Sequence, residues 1–413
     1  MALIAPLRAV RPLKKYVKEV ASYPYDVISS QEARKIADVN PYSFLHISKA
    51  EVDLPEGTDP HDERVYEKAR ENFDGFIKSG IFIQDPLPFF YLYRLKTDHH
   101  EQCGIVAGVH LSEFESGRVK QHESVLPDKV VDRTRHIEKV NAQTGPIFMT
   151  YLARRSIDRL VAGIVKDEPE YDFTCGDGIT HTVWVIRDRT TIAAVQDEFK
   201  KIESLYIADG HHRAASAVAV ARKRREKERR YSGKEEYNYV MSVLFPHDQL
   251  KIMDYNRAVK DLNGLSREEF LCRVGVKFRI TPDFSAKSPG KCHQFGMYLK
   301  GTWYLLEAGR DCYDPDDIMS LLDVTILQKH LLDPVLGIRD PGNDKRVVFV
   351  GGIRGMEELE RLVDWEAFAV AFSLFPPTLE QMIAVADAGK IMPPKSTWFE
   401  PKLRSGIWIH LLD

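Results

Sequence analysis

The stretch ESLYIADGHHR, Glu203–Arg213, decides how the rest of this chain is interpreted. Its apolar, β-prone residues end in an Asp-Gly pair, and an alanine-rich run with high helix propensity follows the arginine. The pattern predicts a strand, a tight glycine turn and a helix. Because the first turn of a helix leaves backbone N–H groups without helical partners, such a turn favours an anion. Two histidines and an arginine add positive charge there, so the stretch indicates a phosphate-binding turn.

Two other interpretations of this turn compete with phosphate binding. In one, Asp209 only caps the helix and the histidines are surface residues. In another, His211 and His212 bind zinc, but that needs further ligands, and adjacent histidines lack the i, i+4 spacing of a helical zinc site. The chain contains no G-x-x-x-x-G-K-[ST] loop. Adjacent histidines followed by arginine at a strand-to-helix turn favour the anion site.

Composition and charge limit the class of protein. The length of 413 residues predicts two or three packed units, and a hydrophobic share of 44% with 29% charged residues is that of an ordinary globular protein. The formal net charge of -3 argues against nucleic acid as a partner. The five cysteines form no C-x-x-C pair, which favours a reduced, cytoplasmic protein. No apolar run approaches the roughly 18 residues of a membrane span, so a membrane is not expected as a partner.

The apolar patterns predict a mixed α/β chain, of the α+β class, in three segments. These are an N-terminal α/β segment (1–110), a ligand-binding core (111–250) and a C-terminal α/β domain (251–413) whose last segment, 391–400, is expected to close the site. Helices are predicted over 29–37, 62–79, 128–143, 147–165, 192–200, 316–332 and 378–388. Two of them begin with the spacing of a capping box, Ser29-x-x-Glu32 and Thr378-x-x-Gln381. Strands are predicted over 41–47, 89–95, 104–111, 182–187, 237–245, 295–299, 302–306, 347–350, 368–375 and 406–411. Two hairpins are expected, one around the polar turn 97–102 and one around Lys300-Gly301.

Two loops carry further candidate site residues. His122-Glu123 lies in a polar loop before a predicted helix, where a glutamate is most often solvated. Next to a real phosphate site, however, a loop carboxylate can accept the proton of an attacking hydroxyl. The run Pro393–Thr397 places an ammonium and two hydroxyls after a rigid turn. It is either a surface turn or a second wall of the site, which holds a phosphate or a substrate carboxylate.

Two other stretches are interpreted as structural. Arg222–Arg230 (RKRREKERR) continues the alanine-rich helix and includes Glu226 and Glu228, which favours a solvated helix end over a nucleic-acid surface. Tyr23–Ile28 has a proline that favours extended backbone, with Asp26 a minor candidate for a metal or substrate contact.

At these residues the chain resembles the free-serine kinases of the ParB/sulfiredoxin superfamily. IADGHHR at 207–213 is similar to their signature. His-Glu at 122–123 matches their upstream loop, and 394–397 matches a Pro-Lys-Thr-Thr-type loop near their C-terminus. With PYDVI (24–28) and MPPKSTWFEPKL (392–403) as further landmarks, the whole chain is similar to a longer prokaryotic family catalogued as a domain of unknown function.

The resemblance implies a ParB/sulfiredoxin-like catalytic core with additional α/β segments, in which 111–250 is the nucleotide-binding part. It also implies a kinase that uses ATP or ADP, with Mg²⁺, to convert free L-serine into O-phospho-L-serine. Glu123 is then the general base on the serine hydroxyl, and Asp209 is a second catalytic residue near the metal or the substrate amine. The residues implied to hold the donor phosphates are Gly210, His211, His212 and Arg213. The residues implied to bind the substrate are His122, Lys395, Ser396 and Thr397.

Two functions of other classes stay open at this point. One is a ParB-type nucleotide switch coupled to DNA, which the net charge of -3 disfavours. The other is a non-catalytic sensor of a nucleotide or an amino acid. A homodimer is compatible with each of them. The chain departs from the kinases at Trp398-Phe399, where they have a basic residue, and this bears on the substrate carboxylate contact.

Overall fold

The computed structural model describes residues 2–365 and 368–413. Its chain contacts separate two compact units. The first unit comprises Met1–Gln121, Val125–Leu250 and Pro401–Asp413, and the second comprises His122–Ser124 and Lys251–Glu400. Both units combine helices with sheets, which confirms the predicted mixed α/β class. None of the helices in the described ranges is long and apolar enough to cross a membrane.

Helices and strands alternate along most of the chain. The helices are α1 (Val17–Val20), α2 (Ser30–Ala37), α3 (Leu45–Ser48), α4 (Glu63–Lys78), α5 (Leu111–Glu115), α6 (Pro127–Val140), α7 (Arg155–Ile164), α8 (Arg189–Phe199), α9 (His211–Lys227), α10 (Arg267–Val274), α11 (Asp323–Leu327), α12 (Gly355–Trp365) and α13 (Leu379–Asp387). The strands are β1 (Ile4–Ala5), β2 (Val10–Pro12), β3 (Phe82–Gln84), β4 (Phe90–Lys96), β5 (Glu101–His110), β6 (Val119–Lys120), β7 (Ala142–Gln143), β8 (Ile147–Tyr151), β9 (Tyr171–Thr174), β10 (Thr180–Ile186), β11 (Leu205–Asp209), β12 (Tyr239–Pro246), β13 (Lys251–Met253), β14 (Tyr255–Val259), β15 (Phe278–Pro282), β16 (Gln294–Leu299), β17 (Thr302–Ala308), β18 (Val347–Gly351), β19 (Val370–Leu374), β20 (Trp398–Glu400) and β21 (His410–Leu411).

A large mixed sheet organises the first unit. Its strand order is β6-β11-β8-β12-β5-β4-β10-β9, and β1 pairs with β5. The hairpin predicted around residues 97–102 is confirmed as the antiparallel pair β4 and β5. Strand β11, which leads into the phosphate-binding turn, runs parallel to β6 and antiparallel to β8. Buried aliphatic and aromatic side chains from these strands form the main core, which therefore fixes where β11 ends.

A six-stranded antiparallel sheet organises the second unit. Its order is β15-β17-β16-β19-β14-β18, and α12 packs its apolar side on it. The predicted hairpin over 295–306 is confirmed as β16 and β17. Strand β20, which follows the Pro393–Thr397 loop, pairs with β13 in a small separate sheet. The Thr378–Gln381 capping box that begins α13 is also confirmed.

Two of the elements predicted from local pattern are wrong. Residues 41–47 are not a strand, because the Asn40 side chain accepts the N–H of Tyr42 and the chain turns into α3. The predicted helix over 147–165 is instead β8 followed by α7. All five residues of β8 are buried, so they show no polar alternation, and periodicity alone does not separate such a strand from a buried helix.

Two further elements are shorter than predicted. The helix predicted over 316–332 begins only at Asp323, because the carboxylates of Asp314 and Asp317 accept nearby backbone N–H groups and form turns. The strand predicted over 406–411 is restricted to β21. Gly406, the first residue of the predicted strand, has a φ of +89°, which is incompatible with regular strand geometry.

Candidate functional site

The phosphate-binding turn has the predicted strand–turn–helix geometry. Strand β11 ends at Asp209, and α9 begins at His211 and continues for 17 residues. Gly210 joins them with a φ of +93°, in the left-handed region that disfavours other residues. A Cβ atom at this position would lie 3.1 Å from the guanidinium of Arg213. The backbone angle therefore favours glycine, and a side chain at this position would push on the guanidinium of Arg213.

The start of α9 is the part of the turn that would face a phosphate. Among the described residues, no side chain caps the helix at Gly210. The backbone N–H groups of a first helical turn point along the axis and carry partial positive charge. An anion placed there would satisfy them, as phosphate does at many helix starts.

Two cations hold the carboxylate of Asp209. Arg213 Nη2 donates to Asp209 Oδ2 at 2.9 Å, and Lys402 Nζ lies 3.3 Å from Asp209 Oδ1. Burial by itself would raise the pKa of Asp209, but the charges of Lys402 and Arg213 outweigh it and hold that pKa well below its ordinary value. Asp209 is therefore ionised at neutral pH and fixes both cations beside the helix start.

Arg213 is held from two sides and stays charged. Its Nη1 donates to the carbonyl of Pro146, while Nη2 donates to Asp209. Burial opposes the charge, but the carboxylates of Asp26 and Asp209 keep the pKa of Arg213 above its ordinary value. Within residues 2–365 and 368–413, the buried Nε of Arg213 has no hydrogen-bond partner. One donor of this guanidinium is thus left for another group.

The two histidines are placed differently from each other. His211 is buried, with 4% of its surface exposed. His212 Nε2 accepts the backbone N–H of Leu126 at 3.0 Å, just before α6. A ring nitrogen that accepts carries no proton, so His212 is neutral in this arrangement. The positive charge of the turn consequently comes from Arg213 and Lys402 rather than from His212.

Lys402 was missed as a site residue. It lies in the C-terminal segment of the first unit, 193 residues along the chain from Asp209. Its signal was present, since it falls inside the MPPKSTWFEPKL stretch that carried part of the resemblance. Because Lys402 is far from Asp209 in sequence, no local pattern connects the two residues.

In the second unit, the two predicted loops come together. His122 Nε2 and Thr397 Oγ1 are 3.0 Å apart although 275 residues separate them in sequence. The backbone N–H of Met392 donates to the carbonyl of His122 at 2.8 Å. Glu123 is half-buried in the same unit, although its chain neighbours at 121 and 125 belong to the first unit.

Hydrogen bonds fix the Lys395–Thr397 loop. Ser396 is buried, and its hydroxyl donates to the carbonyl of Pro393 at 2.6 Å. Lys395 has a φ of +57°, and its carbonyl accepts from Arg257 Nη2 at 3.0 Å. Because the hydroxyl of Ser396 already donates within the loop, its first role is to shape the turn.

Arg257 is another residue that the sequence did not single out. Its guanidinium is buried and also donates to the carbonyl of Tyr255. In the described chain no carboxylate pairs with it, and burial lowers its pKa to about 10. It also lies 5.1 Å from the ring centre of Phe349. A buried cation kept without a counter-ion is costly, which points to a role in holding the Lys395 loop.

Trp398 packs against Tyr255, the first residue of β14. Its ring contacts that of Tyr255, with ring centres 5.2 Å apart and nearly perpendicular planes. A Cβ on Gly351 would lie 3.1 Å from the indole. Lys395 Nζ is 5.8 Å from the Tyr255 ring centre. Trp398 is thus part of the packing beneath the loop.

A magnesium role for Asp209 does not fit this geometry. Each oxygen of its carboxylate already accepts from a cation, and positive charges at that distance repel a divalent ion. Among the described residues there is also no group of three or more His, Cys, Asp or Glu side chains that could hold a metal ion. Mg²⁺ is usually held through substrate phosphates and few carboxylates, so no protein cage is required of a kinase.

The basic end of α9 is consistent with a solvated helix. Arg225 pairs with Glu115 at 2.8 Å, and Lys223 with Glu138 at 2.6 Å. Acidic partners on this surface reduce its attraction for a phosphate backbone.

The predicted site residues divide between the two units. Asp209, Gly210, His211, His212 and Arg213 lie in the first unit, together with Lys402. His122, Glu123, Lys395, Ser396 and Thr397 lie in the second.

Comparison with known proteins identifies the family. The model of a family described as "Protein of unknown function (DUF1015)" matches residues 4–325, and the chain belongs to this family. A search of curated proteins found no match.

Several solved structures are similar to the chain at low identity. A mutant free serine kinase in complex with AMP has 11% identity and a TM-score of 0.37, covering 73% of this chain and 91% of that chain. A conserved hypothetical protein from Pyrococcus furiosus has 13% identity and a TM-score of 0.35, covering 75% and 95%. SbnI with a C-terminal truncation from Staphylococcus aureus has 11% identity and a TM-score of 0.41, covering 74% and 87%. TM-scores this low do not establish a common fold, and the ParB/sulfiredoxin assignment stays a prediction.

Proposed function

We propose that this member of the DUF1015 family is a small-molecule kinase. It binds a nucleotide, ATP or ADP, through a phosphate at the start of α9, and transfers a phosphoryl group to the hydroxyl of a small acceptor. Free L-serine is the acceptor that the motif resemblance indicates. The observation that carries the proposal is the turn itself: an uncapped 17-residue helix begins beside two cations that share one carboxylate.

The charge balance of the turn supports phosphate binding. Arg213 and Lys402 carry two positive charges, and Asp209 carries one negative charge. These three groups sum to one positive charge next to the backbone N–H groups of α9, and the carboxylate of Asp26 acts on Arg213 as well. Charge-assisted hydrogen bonds to an anion are about twice as strong as neutral ones, and fixed donors need no reorganisation during phosphoryl transfer.

Asp209 is best assigned a positioning role. A carboxylate whose pKa is held low by two cations is a poor proton acceptor at neutral pH. Its removal would instead release Arg213 and Lys402 from their common partner. We therefore assign the cations to the donor phosphates and Asp209 to the orientation of the cations.

Glu123 is the proposed proton acceptor for the attacking hydroxyl. This role comes from the motif resemblance, and a carboxylate in a polar loop is chemically suited to it. Lys395, with its backbone carbonyl fixed by Arg257, and Thr397, with its hydroxyl at His122, are proposed to bind the acceptor. Magnesium, when carried by the nucleotide, would neutralise phosphate charge, and no protein residue is assigned to it here.

Product formation tests the proposal. The protein is incubated with ATP or ADP, magnesium and a panel of hydroxylated metabolites that includes L-serine, and phosphorylated product is followed by phosphorus NMR. We expect Glu123→Gln to abolish transfer and to leave the nucleotide Kd within about twofold. Glu203→Gln, an exposed glutamate in the first unit, is the matched control and should turn over like the wild type.

Two outcomes would contradict parts of the proposal. Full turnover by Glu123→Gln would remove the proton-acceptor role. Nucleotide binding without product from any hydroxyl acceptor would identify a sensor rather than an enzyme.

A further inference from the structure

A small cavity lies in the first unit, next to Arg213. Its volume is about 40 Å³, and its lining includes Tyr25, Ser48, Arg133, Thr144 and Arg213. A cavity needs roughly 10–15 Å³, by the same measure, to hold one water molecule. The space therefore suits a few waters or one compact ionic group, and it is too small for a nucleoside.

Two buried donors at this cavity lack an acceptor. Ser48 is 6% exposed, and its hydroxyl has no hydrogen-bond partner among the described residues. The buried Nε of Arg213 likewise has no hydrogen-bond partner among the described residues. Leaving a buried polar group without a partner costs about 1–3 kcal/mol. Two such groups at one cavity indicate that something with acceptor oxygens completes them.

A second arginine brings positive charge to the same cavity. Arg133, on α6, donates through Nε to Asp132 at 2.7 Å, and its guanidinium lies 4.1 Å from the ring centre of Tyr25. Burial keeps this ring un-ionised by raising the pKa of Tyr25 above its ordinary value. Tyr25 therefore supplies an aromatic face for the guanidinium and adds no charge of its own.

The remaining lining supplies no opposing charge. His136 also lines the cavity, and its Nε2 donates to the carbonyl of Ile47 at 3.0 Å. Burial and the nearby charge of Arg133 lower the pKa of His136 to about 4, so the ring is neutral at pH 7. Among the described residues that line the cavity, none is acidic. Of the lining residues that the structure describes, Arg133 and Arg213 are the charged ones, and the carboxylates of Asp132 and Asp209 pair with them from outside the cavity.

We propose that this cavity is a second oxyanion subsite, which takes a compact carboxylate or phosphate group on Ser48, Arg133 and Arg213. The inference rests on the proposed function in that Arg213 also serves the phosphate site at α9. The oxyanion comes from one of two sources: the carboxylate of the acceptor or the terminal phosphate of the donor. The PYDVI stretch thereby gains a functional place, because Tyr25 forms one wall.

Ser48→Ala is the cleanest test, since the lost hydroxyl has no hydrogen bond within the described protein and folding should not suffer. The full chain is titrated calorimetrically with L-serine, inorganic phosphate, AMP and ADP. We expect Ser48→Ala to weaken binding of one oxyanion probe about fivefold to tenfold. Thr325→Val removes an equally unpartnered buried hydroxyl from the second unit and should change nothing.

Arg133→Met distinguishes the two sources, with thermal denaturation as its folding control because Asp132 loses its partner. A loss of at least about tenfold for L-serine, with ADP unchanged, assigns the cavity to the acceptor carboxylate. Weakening of ADP and inorganic phosphate, with AMP unchanged, assigns it to the terminal phosphate.

Unchanged binding of all four probes by both variants overturns the subsite and identifies a cavity filled by water only. Failure of the wild type to bind AMP or ADP would instead overturn the proposed function. In that case the titrations with L-serine and inorganic phosphate alone test the subsite. If the wild type binds neither of these two probes, the subsite is overturned as well.

Discussion

The two motif-bearing regions are held together by different forces. In the first unit, the Asp209–Arg213 turn depends on charge: one carboxylate holds two cations beside a helix start. In the second unit, the Lys395–Thr397 loop depends on hydrogen bonds to main-chain carbonyls and on the contact between His122 and Thr397. Arg257, a buried cation beneath it, donates to carbonyls.

The difference separates two kinds of sensitivity. A turn built on paired charge should respond strongly to any change in the number or position of its cations. A loop built on neutral hydrogen bonds should tolerate charge changes and respond to the loss of its shape. Under the proposed function, the first kind of change should affect the nucleotide and the second kind the acceptor.

Gly210→Ala should have the largest effect on the charged turn. An alanine at a φ of +93° is strained by about 1–2 kcal/mol, and its Cβ would meet the guanidinium of Arg213 at 3.1 Å. We expect nucleotide affinity to fall about 100-fold by calorimetry. Gly176→Ala is the matched control, because no atom lies within 4 Å of its Cβ position. Equal affinities for both variants would mean that the nucleotide does not use this turn.

Lys402→Met should come next. Asp209 keeps Arg213 but loses its second cation, so the turn loses one positive charge. We expect about 30-fold weaker nucleotide binding, near 2 kcal/mol, with a steeper loss for ADP than for AMP. Lys200→Met, which breaks an exposed pair with Asp197, is the control and should leave binding unchanged. A Lys402→Met variant with full affinity would remove Lys402 from the site.

Arg257→Met tests the other region. The Lys395 carbonyl loses its donor, so the loop should relax without any change in the charged turn. We expect the KM for the acceptor to rise about tenfold while kcat and the nucleotide Kd stay within about twofold. Arg257→Lys should recover part of the loss, because an ammonium can still donate to a carbonyl. A change in nucleotide Kd instead would break the proposed division of roles.

The two units should also differ in the sign of their pH response. In the second unit, burial raises the pKa of Asp323 from 3.8 to about 7. The folded state then binds more protons than the unfolded state between those values, so stability falls as pH rises from about 4 to about 7. In the first unit, Asp209 has a lowered pKa, so its contribution is present above pH 3.8 and is lost on acidification.

Urea denaturation between pH 4.5 and 7.5 measures the Asp323 contribution. The free energy of unfolding should fall by at most about 1.4 kcal/mol per pH unit as the pH rises. In Asp323→Asn this dependence on pH should be weaker, because the side chain no longer titrates. A wild-type profile with no such fall, or an identical slope in Asp323→Asn, would show that Asp323 does not titrate in this way.

Local pattern was enough to predict the turn and several elements around it. The strand, glycine and helix at Leu205–Lys227 follow from an apolar run, an Asp-Gly pair and an alanine-rich segment. The capping boxes at Ser29 and Thr378 were likewise predicted, because cap geometry depends on residues only three apart. Strand β8 was missed because a fully buried strand has no polar alternation.

The partners of the site residues could not be predicted from local pattern. Lys402 meets Asp209 and Arg257 meets the Lys395 carbonyl across 193 and 138 residues of chain. Such contacts depend on which strands pair, and no periodicity encodes that. The hydrogen bond from the Leu126 N–H to His212 was equally unpredictable from local pattern. It makes His212 a neutral acceptor, whereas the sequence suggested a positive charge there.

The central claim is that a donor phosphate binds at the start of α9. The most direct test is a titration of the full, isotopically labelled chain with ADP, followed through backbone amide resonances. The account predicts that the largest shifts occur at Gly210, His211, His212 and Arg213, and that Gly210→Ala removes them. Saturable ADP binding whose shifts leave these four amides unchanged would contradict it.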